Sequence, residues 1–205
     1  DVSNEKFKFR DSRRMFVGGV PAIINRISFT GELGYEIYVA PHYQLKLYEE
    51  LMEAGKEFNI KPFGGRALMS MRLEKNWGAW TLDYRPDFTA KETGLDAFIN
   101  WDKEFIGKES AQKENSSNKL VPLIVETNEI DVTNNEAVMN GDQSIGYVTS
   151  GGFAHFVNKS VAFTFVDQKN INSENKIQVE INGDLFNCSI IKEPLYDPSG
   201  QKMRS

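Results

Sequence analysis

Two charged residues stand where the local sequence offers a charge little reason to be. Glu36 lies in SFTGELGYEIYV, residues 28–39, a stretch that alternates like a strand and carries two glycines among β-branched and aromatic neighbours. Taking parity from Tyr35, one face carries Tyr35, Ile37 and Val39, and the other carries Glu36 and Tyr38. With helices over the apolar face, Glu36 points away from them. A carboxylate on a sheet face can accept two parallel N–H donors from the planar, amidine-like edge of a heterocycle. Gly31 and Gly34 weaken a strand but let something approach the backbone closely. The alternative is a solvated charge on an open face. Arg66 is the second case, at the start of the helical run RALMSMRLEK, where the macrodipole disfavours a cation. It either pairs with a surface glutamate or joins the free helix N–H groups as a clamp for a carboxylate or phosphate.

Other candidates carry less chemistry. Trp77, Trp80, Tyr84 and Phe88 follow that helix and serve either as core and lobe–lobe packing or as walls for a flat ligand. His42, after Pro41 at a helix start, reads as structural, whereas His155 follows a glycine pair in a loop and stays open to a functional role. The two histidines fall in different parts of the chain, and no spacing resembles a metal cluster or a phosphate loop.

Composition narrows the class. A net charge of -5 and a pI near 5.2 argue against a general nucleic-acid binder, which needs a basic stripe. Cys188 is the single cysteine, which forbids an intrachain disulfide and fits a reducing compartment, cytoplasmic or the mitochondrial matrix. No apolar run approaches the roughly 18 residues of a membrane span. The first residues, DVSNEKFKFRDSRRMF, are charged throughout, unlike a signal peptide, and begin without methionine, so a piece of a longer chain is expected.

The elements that must position these residues follow from pattern. Residues 14–40 read as two strands, RMFVGG and AIINRISF…YEIYVA. PHYQLKLYEELMEAGKEF is an amphipathic helix with Leu47, Leu51, Ala54 and Phe58 on one stripe, and a second helix ends near Asn76. A short strand is expected around Ala97–Trp101 and a short helix from Lys108. The polar run KENSSNK marks a boundary, and beyond it short strands spaced by turn residues, with Asn182-Gly183-Asp184 as a hairpin, read as a small all-β barrel or sandwich.

Taken in order, TGELGYEIYV, KPFGGRALMSMRLEK, WTLDYRPDFTAKETGLDAF, FIGKESA, IGYVTSGG, NKSVAFTFV and EPLYDP resemble the glycine-cleavage T-protein superfamily over nearly the whole chain. More narrowly they resemble the folate-binding C-terminal half of flavin-dependent dimethylglycine and sarcosine dehydrogenases. The resemblance implies an α+β fold: a ferredoxin-like lobe followed by a small antiparallel β-barrel lobe, two of three lobes in the T-protein-like arrangement. Residues 1–20 would be the tail of a preceding lobe, 21–112 the folate-binding lobe, 113–118 a linker and 119–205 the barrel.

It further implies tetrahydrofolate as cofactor, with Glu36 gripping the pterin, Arg66 near the acidic tail, and Phe29 and Tyr35 beside them. Phe29 stands where the T-protein pattern has tyrosine, which keeps a stacking face and loses a hydroxyl. Catalytic residues and any FAD would belong to an upstream domain, and none is expected here. In the full protein a flavin would oxidise an N-methyl amine, and the released one-carbon unit would give 5,10-methylenetetrahydrofolate. Partners would be folate, the amine-derived unit and the upstream domain, without nucleic acid or membrane. A non-catalytic folate-binding or structural module, and an aminomethyltransferase or folate-dependent demethylase, remain alternatives.

Overall fold

The structure, a computed structural model, describes residues 1–127, 129–171 and 176–205. Ser12–Val17 (β1) and Val20–Asn25 (β2) form an antiparallel hairpin, in register from Ser12 opposite Asn25 to Val17 opposite Val20. Its turn is Gly18-Gly19, with φ of +53° and +75°, the conformation a two-residue type I′ turn demands and glycine adopts without strain. This hairpin straddles the boundary expected between residues 20 and 21. Glu36–Tyr38 (β3) joins β2, with Asn25 opposite Glu36 and Ile23 opposite Tyr38.

The stretch expected to run as strand from residue 28 does so only at β3. Residues 28–34 turn instead: Gly31 takes a φ of +86°, the Ser28 hydroxyl accepts from Gly31 N at 2.9 Å and Thr30 Oγ1 accepts from Glu32 N at 3.3 Å. Short hydroxyl side chains close such turns against a ladder. The parity expected from Tyr35 holds beyond the turn, because Tyr35, Ile37 and Val39 pack on a buried cluster of Phe7, Ala22 and Ile24.

Gln44–Ala54 (α1) follows a 3-10 turn at Pro41–Tyr43. Its apolar stripe is shorter than the spacing predicts: Leu47 is buried, Leu51 half-buried, and Ala54 and Phe58 exposed. The helix stops because Gly55 opens a 3-10 turn at Lys56–Phe58, and Asn59 then takes the left-handed conformation. Gly65–Glu74 (α2) matches the second helix, and Lys108–Lys113 (α3) the third. No strand forms at 97–101: Asp96–Phe98 is a 3-10 turn, whose local i,i+3 bonds serve a segment with no neighbouring strand to pair.

After α3, Asn118–Val125 (β4), Ala137–Asn140 (β5), Gln143–Ala154 (β6), Lys159–Asp167 (β7), Ile177–Ile181 (β8) and Asp184–Ile190 (β9) close into a barrel in the order β4-β7-β6-β5-β8-β9. All pairings are antiparallel. Alternating Leu123, Val125, Val138, Val148, Val179 and Ile181 fill the interior. Asn182 and Gly183, with φ of +54° and +91°, make the β8–β9 hairpin turn. The molecule is thus an α+β lobe followed by a closed antiparallel barrel, as the sequence predicts.

The helix α2 packs on the barrel, against β6 and β7. Leu73 joins Ala154, Val161, Phe163 and Ile191 in one apolar cluster, while polar residues at the C-terminal end of α2 face inward too. Arg72, Glu74 and Lys75 are all buried.

Candidate functional site

The face of the sheet opposite Phe7 holds two cross-strand rows. Ser12, Asn25 and Glu36 are in register, and the Ser12 hydroxyl donates to Asn25 Oδ1 at 2.6 Å. Arg14, Ile23 and Tyr38 form the neighbouring row. Residues directly opposite in an antiparallel pair share a face, so the carboxylate, the arginine and the phenol project to one side. Tyr38 donates its hydroxyl to Glu36 Oε2, and this bond raises the Tyr38 pKa above the ordinary tyrosine value. Glu36 is half-buried, and its Oε1 has no partner among the described residues.

Beyond Tyr38, one row away from Glu36, a cavity of about 510 Å³ opens, walled by Arg14, Phe16, Pro21, Ile23, Tyr38 and Ala40, and Glu36 itself does not line it. That size lies within the roughly 300–1,000 Å³ of small-molecule pockets. Phe16 is 72% exposed and Ile23 40%, so the wall presents apolar surface to whatever enters. A half-desolvated carboxylate with one oxygen held and one free, next to an apolar and aromatic wall, suits a flat ring that carries N–H donors on its edge. Arg14 supplies a cation for an acidic group on the same molecule.

The other expected residues fall in different places. Phe29 is half-buried in the 28–34 turn that leads to Glu36. Tyr35 lies on the opposite face from Glu36: its ring sits 5.9 Å from Phe7, and its hydroxyl donates to the Val2 carbonyl at 3.3 Å. Arg66 is exposed in the first turn of α2 and has no ion-pair partner among the described residues. No hydrogen bond or ion pair joins Glu36 to Arg66. Gly31 and Gly34 do admit close neighbours, but these are the Lys75 stem and the Ile27 carbonyl. His42 and His155 are exposed; His42 lies tilted against Tyr43 and His155 edge-on to Phe153. Phe88 stacks on Phe165 of β7 at 3.8 Å, whereas Trp80 is 75% exposed. Among the described residues no group of His, Cys, Asp or Glu is placed to hold a metal.

Sequence reasoning missed a polar seam between α2 and the barrel. Arg72 and Asp83 form a buried ion pair at 2.8 Å. Burial pulls the Arg72 pKa below its usual value, and the adjacent Asp83 charge opposes that. Asp83 also accepts from Ala79 N at 2.8 Å, Ser150 Oγ at 2.7 Å and Thr149 Oγ1 at 2.5 Å. Consecutive strand residues ordinarily point to opposite faces; here the register shifts between Val148 and Ser150, and the bulge aims both hydroxyls at one carboxylate. The signal was faint: Arg72 and Asp83 are eleven residues apart in segments that read as an ordinary charged helix and an aromatic loop. Arg26, also buried, donates to the Phe7, Arg204 and Ser205 carbonyls and to Asn4.

Comparison with known proteins agrees with this architecture. Residues 1–103 match the GCVT N-terminal domain and residues 118–197 the glycine cleavage T-protein C-terminal barrel domain. The mitochondrial dimethylglycine dehydrogenase of Mus musculus is 35% identical over 200 residues, covering 95% of this chain and 23% of the relative. An aminomethyltransferase of Thermoanaerobacter pseudethanolicus is 31% identical over 207 residues, covering 98% of this chain and 55% of that protein. The chain therefore spans a quarter to about half of these relatives. In fold it resembles the crystal structure of glycine cleavage system aminomethyltransferase T from Bartonella henselae, with a TM-score of 0.82 at 22% identity over 95% of this chain and 54% of that one.

Proposed function

The chain belongs to the glycine cleavage T-protein family, and on that premise we propose that it is the tetrahydrofolate-binding, one-carbon transfer part of a longer enzyme. The carbon would come from oxidative demethylation of an N-methyl amine of the dimethylglycine or sarcosine type, with any flavin bound upstream of these residues. The cytoplasm or the mitochondrial matrix would be its compartment. The observation that carries the reading is Glu36: a half-buried carboxylate, free on one oxygen and bonded on the other by Tyr38, which itself lines an apolar cavity.

The residues present fit a reduced folate. The free Glu36 oxygen accepts from the amino-pyrimidine edge, Tyr38 and Phe29 offer ring faces, and Arg14 or Arg66 receives the acidic tail. Bound reduced folate supplies the nucleophilic nitrogen that takes up the one-carbon unit. This chain's own share is placement: Glu36 fixes the orientation of the ring, and Tyr38 fixes Glu36. The apolar wall of Phe16, Ile23 and Pro21 displaces water from one side of it.

Titration of the full-length chain with folinic acid, a stable reduced folate, tests the reading through tryptophan fluorescence. Glu36→Gln keeps the shape and loses the charge, so binding weakens about tenfold while the folded state persists, as expected for a charge-assisted bond worth about 1.5–3 kcal/mol. Undiminished binding by a folded Glu36→Gln variant rejects Glu36 as the pterin-reading group and leaves the arginines as the recognition end.

A further inference from the structure

The turn that carries Phe29 and leads into Glu36 is held from the barrel side. Gly31 is buried and lies on the aliphatic stem of Lys75, where an added Cβ would come within 2.4 Å of Lys75 Cδ. Lys75 is itself 2% exposed. Its ammonium points past the turn to the Asp197 carbonyl at 2.6 Å and the Asp197 carboxylate at 3.4 Å. The preceding residue, Tyr196, donates its hydroxyl to Glu32 Oε1 in the same turn. Tyr196 is fixed in turn, its N–H donating to the Glu74 carbonyl at 3.0 Å and its ring edge-on to Phe156 at 4.7 Å.

We propose that Lys75 and Tyr196 are positioning residues for the folate site, clamping the 28–34 turn so that Phe29 and Glu36 are presented in binding geometry. The inference rests on the reading of Glu36 given above. Inside the turn, only the two side-chain bonds from Ser28 and Thr30 oppose motion. A segment held so lightly samples other conformations, and the apparent affinity of a site falls with the fraction of time it is competent. The clamp raises that fraction before ligand arrives. The bond to Glu32 is the main cause that pushes the Tyr196 pKa up to about 12.

The experiment is the same folinic acid titration of the full-length chain with Tyr196→Phe, Glu32→Ala, Glu32→Gln, Glu36→Gln and the Tyr196→Phe/Glu36→Gln double variant. Tyr196→Phe and Glu32→Ala each weaken binding about fivefold, while Glu32→Gln, which keeps an acceptor, stays within about twofold of the parent. In the Glu36→Gln background Tyr196→Phe adds less than about twofold, because a displaced turn acts through the carboxylate it carries. A role in stability alone would lower the thermal midpoint and give the same fold-loss in both backgrounds. That result, or parental binding by Tyr196→Phe and Glu32→Ala beside a weakened Glu36→Gln, overturns the clamp and leaves the pterin reading intact. Parental binding by Glu36→Gln rejects both together.

Discussion

In the barrel every strand pairs on both sides, with β4 closing on β9, whereas the three-stranded sheet ends at β1 on one side and β3 on the other. The barrel interior is valine-rich and sealed; Val132, Val138, Val148 and Val179 are all fully buried. The sheet buries one face on Phe7 and leaves Phe16, Ile23 and Tyr38 exposed on the other. The closed unit buries most of its apolar surface in its own core, Leu185 and Ile190 of β9 apart, while the open one keeps a contiguous part of it at the surface. Binding chemistry belongs on the open one, where a carboxylate can be half-desolvated without being sealed in. The polar seam at Arg72 and Asp83 fixes α2 to β6 of the barrel.

The sharpest way to break this contrast is at the seam. Asp83→Ala leaves the buried Arg72 guanidinium without its counter-charge and the Ser150 hydroxyl without its acceptor, while Thr149 still reaches the Phe163 carbonyl at 3.2 Å; the expected loss is about 3–5 kcal/mol in chemical denaturation. A loss below about 1 kcal/mol would show that the seam is not what unites barrel and helix. A smaller effect separates the two interiors. Val138→Ala in the barrel costs about 2 kcal/mol through lost burial and a residual cavity. Ile23→Ala on the open sheet face costs under about 0.5 kcal/mol and weakens folinic acid binding instead. Equal destabilisation by the two substitutions would erase the distinction.

The smallest effect lies at alkaline pH, where the lobes meet at Tyr196. Its pKa is raised from 10.0 to about 12 in the folded state, so folding favours the protonated hydroxyl. That contribution is intact below pH 10 and disappears as pH rises towards 12. Thermal midpoints of the parent and Tyr196→Phe should differ at neutral pH and converge on the alkaline side. A difference unaltered up to pH 12 would mean that the hydroxyl is not bonded to Glu32 in solution.

The barrel was the most legible part of the sequence, because its signals are local: apolar alternation in strands such as KIQVEI, and Asn182-Gly183 forcing a tight turn. The face parity of β3 was legible for the same reason. The 28–34 turn was not, since its alternation mimics a strand and the group that fills Gly31's missing side chain is Lys75, forty-odd residues on. The stripe of α1 misled at its far end, where Gly55 cuts the helix short before Phe58. In the site, the oddity of a charge in an apolar strand marked Glu36, but nothing local marked Arg14, which joins the same sheet face only through strand register. Arg72 looked like any charge on a helix; its burial depends on a bulge in a strand some 75 residues away.

The unpaired edge of β1 has a consequence for how copies of the chain behave towards one another. A strand edge with free N–H and C=O groups is a template for lateral growth, and SRRMFV would otherwise suit it. Arg13 and Arg14 lie on that edge, so a second copy approaching antiparallel in full overlap would set Arg14 against Met15 and gather four arginines along one six-residue seam. The guard is electrostatic, and salt that screens charges beyond about 10 Å lowers it. Solubility and strand pairing are thus set in opposition along six residues, with ionic strength deciding between them.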